Sequence, residues 1–198
     1  MGSIHALAAQ ARRLNTEAGA PSIPWLYFFT DPLRTPDPCA IAKRLPRGAA
    51  VVYRHFGADD RNAVARKLAA LCRSRALLLL VAGDPSLARR VGATGVHWPE
   101  KRLPARRDHG FALETAAAHS TEALARAAEF GADACILAPV FETRSVSGNP
   151  PLGLFHASQM ARSACLPVVA LGGVDARSAR CLSGRGFAGI AAVDAFGA

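Results

Sequence analysis

Eight short apolar runs, separated by stretches with helical patterning, recur along this chain and constrain its fold more than any other feature. The runs cover 25–30, 49–53, 76–82, 95–98, 111–118, 134–141, 167–171 and 189–193, and are rich in Val, Ile, Leu and aromatic residues. Such runs read as strands buried on both faces, the pattern of a parallel sheet. Between them the spacing predicts helices over 38–45, 59–73, 85–91, 121–130, 154–164 and 175–182. Two of these starts are marked. Ser120 can cap the run that begins Thr121-Glu122, and Pro85 sits where a missing N–H costs nothing. Eight β-α units close into a small α/β domain of the (β/α)8 TIM barrel class. A single domain over 1–198 is expected, with 1–24 as a helical extension and 25–196 as the barrel. In residues 3–18 the stripe of Ala6, Leu7, Ala11 and Leu14 predicts an extra amino-terminal helix covering barrel surface, while the eighth helix is truncated.

Composition narrows the function classes. The longest apolar run, 76–82, falls far short of the roughly 18 residues a membrane span needs. No export signal is evident, and five cysteines without a CxxC pair or metal-ligand spacing read as buried, reduced thiols, so a cytoplasmic protein without a zinc site is expected. Lys and Arg number 24 against 15 Asp and Glu, a net charge of +9. All but Lys43, Lys67 and Lys101 of those cations are Arg, which points to compositional bias as one source of the basicity. The local concentration is Arg89, Arg90, Lys101, Arg102, Arg106 and Arg107. Without interleaved aromatic residues or a recognition motif, this favours a small anionic ligand over nucleic acid, with a solvated basic face as the plain alternative.

In a barrel the chemistry sits at the carboxyl ends of the strands. The residues there are Thr30 and Asp31, Arg54 and His55, Gly83 and Asp84, His97 through Arg102, His119, Thr143 through Ser145, Gly172 and Gly173, and Asp194. The Gly172-Gly173 pair follows the seventh run, where side-chain-free backbone lets N–H groups close on phosphate oxygens; a tight turn is the competing reading. The 143–153 loop is polar, glycine-containing and proline-bearing, equally suited to a ligand flap or to plain surface.

The segments WLYFFTD, GATGVHWPE, AAAHSTEA, GADACILAPVFETRS, PPLG, PVVALGGV and GFAGIAAVDAF, in this order over residues 25–196, resemble the thiamine phosphate synthase and TenI-type superfamily. The resemblance implies a (β/α)8 fold and a homo-oligomer, a dimer or larger. For the synthase branch it implies magnesium-assisted joining of a pyrimidine diphosphate to a thiazole phosphate with release of pyrophosphate. It further implies that Arg54, Thr143 and Ser145 contact phosphates, and that Gly172, Gly173 and Val193 form the thiazole-phosphate turns. His97 and His119 match family histidines, both also readable as structural. The departures are specific. The synthase's Asn-Asp pair after strand three aligns with Ala82-Gly83 and its second metal carboxylate with Arg102, beside Lys101. Asp84, one place along, is the remaining substitute, and a lone carboxylate facing those cations makes a poor magnesium site. The hydroxyl of the last phosphate loop is replaced by the carboxylate of Asp194, and the tautomerase histidine by Pro139. Magnesium is therefore expected only if the synthase activity survives. The expectation is a synthase-like protein of thiamine biosynthesis, with a degenerate binding or regulatory member as the alternative.

Overall fold

The computed structural model describes residues 2–143 and 150–196. Its eight parallel strands close in sequence order: β1 (Leu26–Phe29), β2 (Ala50–Tyr53), β3 (Leu78–Ala82), β4 (Gly95–Trp98), β5 (Leu113–Ala118), β6 (Ala134–Leu137), β7 (Val168–Ala170) and β8 (Phe187–Ala192). Closure is made by β1 pairing with β8, with Leu26 opposite Ile190 and Phe28 opposite Ala192. The helices are α1 (Gly2–Glu17), α2 (Pro38–Ala42), α3 (Arg61–Arg75), α4 (Pro85–Val91), α5 (Thr121–Phe130) and α6 (Leu154–Ser163).

Strand alternation sorts the apolar residues into two cores. Tyr27, Phe29, Val52, Leu80, Ile136 and Val169 fill the barrel, and Ile23 closes its amino-terminal end. Leu26, Phe28, Val51, Val81 and Val96 face outward to meet the helices. Both faces of each strand are thereby dry, which is why the runs read as continuously apolar rather than alternating.

Among the described residues β8 is followed by a 3-10 turn at Asp194–Phe196, and α1 packs against β8. Of its expected stripe Leu7, Ala11 and Leu14 are buried, joined by Ile4, while Ala6 is exposed, and the Asn15 amide donates to the carbonyls of Ala20 and Ala188 at 2.7 and 3.1 Å, tying the helix to β8. The expected starts of α4 and α5 are where the caps are found. Asp84 accepts the Leu87 N–H at 2.8 Å, and Ser120 accepts that of Ala123 at 3.2 Å.

Three expectations need correction. Residues 175–182 form no α-helix, only a 3-10 turn over Ser178–Leu182. Asp175 caps the segment as a helix start would, its Oδ1 taking the N–H groups of Arg177 and Ser178, but beyond the cap Arg180 N–H turns to Arg177 O at 3.3 Å, an i−3 bond, and the run tightens into 3-10 geometry. The sixth strand ends at Leu137 rather than Phe141, because Pro139 has no N–H for the ladder. Of the cysteines, Cys72 and Cys135 are buried and Cys39 is half-buried, but Cys165 and Cys181 are exposed; all five are free thiols.

Candidate functional site

A cavity of about 640 Å³ opens at the carboxyl ends of the strands. Its floor is apolar, made by Phe29, Ala82, Ala117, Ile136 and Leu171, and its rim carries the polar groups. The structure brings Arg54, Thr143, Gly172, Gly173, Val193, His97 and His119 together around it. Asp84, Lys101 and Arg102 do not line it. Ser145 lies outside the described residues, as does most of the 143–153 loop.

The strongest geometric constraint is the turn after β7. Gly172 and Gly173 have φ of 96° and 63°, the left-handed region that strains any residue with a Cβ. Space is equally limiting: a Cβ on Gly172 would lie 2.7 Å from Pro139 Cα, and one on Gly173 would lie 2.2 Å from the Glu142 carbonyl oxygen. The turn is stitched to the segment after β6 by Val140 N–H donating to Leu171 O at 2.9 Å and Phe141 N–H donating to Gly172 O at 3.0 Å. None of the backbone N–H groups of Gly172, Gly173 and Val174 has an acceptor among the described residues, although all three residues line the cavity. Successive backbone donors left open in such a turn are the kind of group from which anion-binding concavities are built.

Arg54 lies on the same rim. Its Nε donates to Thr30 O at 2.9 Å, its backbone N–H donates to the Thr30 hydroxyl, and its guanidinium sits 5.2 Å from the centre of the Phe29 ring. No carboxylate pairs with it among the described residues. Burial pulls this guanidinium below its ordinary value, with Asp31 opposing the shift and Arg34 adding to it. A desolvated cation without a counter-ion is costly, and an anion in the cavity would relieve that cost.

The two histidines differ. His97 is buried, its Nδ1 lies 2.9 Å from the Thr115 hydroxyl, and its ring meets Phe29 edge-on. Burial, helped by the charge of Arg54, drives it down to about 3, so it is neutral at physiological pH and can act as a hydrogen-bonding group but not as a cation. His119 is exposed and anchored by its Nδ1, 2.7 Å from Ala138 O. His55 packs against the Tyr53 ring, outside the cavity lining.

The side of the rim formed after β3 and β4 is built otherwise. Asp84 caps α4 and also pairs with Arg61 at 2.7 Å, so both of its oxygens are engaged. Partial burial works to raise its carboxyl, but the Leu87 N–H and the Arg61 guanidinium outweigh that and hold it below the usual range. Arg102 fills the space above the β3 turn, its Nη1 only 3.2 Å from where a Gly83 Cβ would be. No cluster of three or more metal-ligating side chains occurs among the described residues. The donor set does not fit magnesium, and Asp84 does not stand in for the family's missing ligands. The expected basic concentration also divides: Arg89 pairs with Asp108, and Arg107 grips Asp133 at 3.0 and 2.6 Å.

Sequence reasoning missed Arg34, Glu142 and Asp175, which also line the cavity. The signal for Arg34 was present in Asp31-Pro32. Asp31 Oδ1 accepts the N–H groups of Leu33 and Arg34, each at 3.0 Å, a turn that carries Arg34 to the barrel mouth. There it pairs through two nitrogens with the carboxylate of Asp194, so that charge is compensated rather than bare.

Similarity to known proteins agrees with this architecture. The family model described as thiamine monophosphate synthase matches residues 26–196. The thiamine-phosphate synthase of Alcanivorax borkumensis is 34% identical over 181 residues, covering 86% of this chain and 83% of that protein. That of Chlorobium limicola is 32% identical, covering 88% and 87%. A solved structure, the thiamine phosphate pyrophosphorylase from Pyrococcus furiosus, superposes with a TM-score of 0.72 at 27% identity, covering 87% of each chain. No helix among the described residues is long and apolar enough to cross a membrane. With its closed eight-stranded barrel and a match that spans nearly every strand, the chain belongs to the thiamine monophosphate synthase family.

Proposed function

We propose that this protein binds a phosphorylated heteroaromatic ligand of thiamine biosynthesis, a thiazole or pyrimidine phosphate, and does so without magnesium. The observation that carries the reading is the run of three unfilled N–H groups at Gly172, Gly173 and Val174 on the same rim as the unpaired Arg54. The phosphate sits on those N–H groups and takes Arg54 as its counter-ion, with Val193 and the Thr143 hydroxyl completing the anion site. The ring lies on the apolar floor of Phe29, Ile136 and Leu171. Neutral His97 offers it a hydrogen bond without adding charge. His119 flanks the mouth, while Asp84, Lys101 and Arg102 serve structure or solvent. A dimer in the cytoplasm belongs to the same reading, and neither nucleic acid nor membrane does.

Condensation with loss of pyrophosphate requires charge developing on the leaving oxygens to be neutralised. Among the described residues, the side of the rim where the family's divalent cation would act carries Asp84 and Glu100, and both are already engaged: Asp84 by the Leu87 N–H and Arg61, Glu100 by the His119 N–H at 3.1 Å and by Arg126 at 2.9 Å. The test is a calorimetric titration of thiazole phosphate and pyrimidine diphosphate, alongside a condensation assay with magnesium and with chelator. Binding of at least one ligand, unaffected by chelator and accompanied by no condensation, supports the reading. Condensation that disappears on chelation would restore the synthase activity and overturn the magnesium-free assignment.

A further inference from the structure

We propose that Arg34 is a second ligand-binding cation of this mouth, held between ligands by Asp194, whose carboxylate stands in for the ligand's phosphate. The inference rests on the mouth being an anion site and adds which residues set its selectivity.

The β1–α2 loop fixes where Arg34 starts. Asp31 takes two backbone N–H groups of the loop, and its own N–H donates to the Thr35 hydroxyl at 2.7 Å while the Thr35 N–H returns to Asp31 O at 2.8 Å. With its backbone so held, Arg34 reaches Asp194 with Nε at 2.9 Å from Oδ1 and Nη2 on Oδ2. This fork-on-fork arrangement is the one a guanidinium also makes with two oxygens of a phosphate.

The pair is not part of the protein interior. The Asp194 side chain is 55% exposed and that of Arg34 is 25% exposed, and both line the cavity alongside Gly172, Gly173 and Arg54. An ion pair open to water is weak and exchanges readily. Asp194 also begins the 3-10 turn after β8, so it can swing outward without disturbing a strand.

A phosphate arriving on the β7 turn meets attraction from Arg34 and repulsion from Asp194. With Asp194 swung outward into solvent, its repulsion is screened and Arg34 exchanges a carboxylate for a dianion, the stronger partner. A singly charged ligand gains nothing over the carboxylate already present. The clasp therefore selects dianionic phosphates over monoanionic carboxylates, and its two residues determine specificity.

The test measures inorganic phosphate and acetate binding by calorimetry at pH 8, using the intact protein and the variants Asp194→Asn, Arg34→Gln and the two combined, with thermal melts as a folding control. Asp194→Asn is expected to bind phosphate about tenfold more tightly and to narrow its preference over acetate. Arg34→Gln, which leaves Asp194 unpaired in the mouth, is expected to weaken phosphate binding by about tenfold or more. The combined variant should recover most of that loss, the signature of two residues acting through one contact. Unchanged or weaker phosphate binding in Asp194→Asn, with a lowered melting temperature, would make the pair a structural clasp and overturn the inference. Arg54→Met separates this from the earlier reading: if Arg54→Met abolishes binding while Arg34→Gln leaves it intact, the anion site stands and only the role of Arg34 falls. If the intact protein binds no phosphate, both fall.

Discussion

The two halves of the barrel rim carry similar numbers of charged groups and use them in opposite ways. After β3 and β4, Asp84 is occupied by a helix cap and by Arg61, and Arg102 fills the space over Gly83. Around β7, β8, β1 and β2, three backbone donors have no acceptor and the Arg54 guanidinium has no carboxylate among the described residues, and Asp194 pairs with Arg34 at the mouth. Charge alone is therefore no guide to a binding site. The informative quantity is hydrogen-bonding capacity left unfilled next to a cavity, because structural charges have already found their partners.

Each of the following outcomes would break or sharpen that contrast. Gly173→Val attacks the unfilled half most directly. Its Cβ would collide with the Glu142 carbonyl at a φ of 63°, so phosphate affinity should fall more than 100-fold and stability by about 3 kcal/mol. Calorimetry with a chemical melt checks both, and an intact binding curve would remove the turn from the site. Arg54→Met should weaken phosphate binding by about 100-fold, yet leave the melting temperature unchanged or raised, since it removes a desolvated cation that lacks a counter-ion. A large loss of stability instead would place Arg54 among the structural charges of the other half.

The floor between the halves gives a pH signature. His97 is held to about 3 when folded but has an ordinary value of roughly 6.5 when unfolded, so below that pH the unfolded chain binds the extra proton. Stability is complete above about pH 6.5 and falls by up to about 1.4 kcal/mol per pH unit toward pH 5, by the linkage relation. Urea melts at pH 5 and pH 7 should show that loss, and His97→Gln should remove most of it. On the structural half, Asp84→Asn should cost about 1 kcal/mol through the weakened cap and ion pair, with ligand affinity unchanged. Because the Asp84 carboxyl is held low in the fold, its contribution is present above the unfolded value near 4 and is lost as pH falls through the folded one. A change in ligand affinity in Asp84→Asn would return this carboxylate to the site. The smallest expected effect is that of magnesium, which should shift neither melting temperature nor affinity.

Much of this was legible in the residues. The eight strands follow from apolar runs, because a parallel barrel strand is dry on both faces, and the starts of α4 and α5 follow from Pro85 and Ser120. The Gly172-Gly173 turn was legible because only glycine fits a left-handed bend pressed against Pro139 and Glu142. What sequence could not give was partnership. Asp84 reads the same whether it binds a metal or caps a helix, and the difference lies in Arg61, 23 residues upstream. Arg34 and Asp194 stand 160 positions apart and meet only because β1 closes onto β8. At 175–182 the cap was legible in Asp175, which accepts the Ser178 N–H, but the tightening beyond it, with Arg180 N–H on Arg177 O, was not.

Closure of β1 onto β8 also has a consequence for how the molecule is made. Helix α1, which precedes every strand in the chain, docks against the last of them, β8, through Asn15 and the Ala188 carbonyl. During synthesis, the greasy side of that helix, Ile4, Leu7, Ala11 and Leu14, has no home until β8 has left the ribosome. Contacts of such sequence separation form slowly, and an unsheltered apolar stripe in the interval invites chaperones or self-association. The ring is thus sealed by its first and last strands, and assembly commits late.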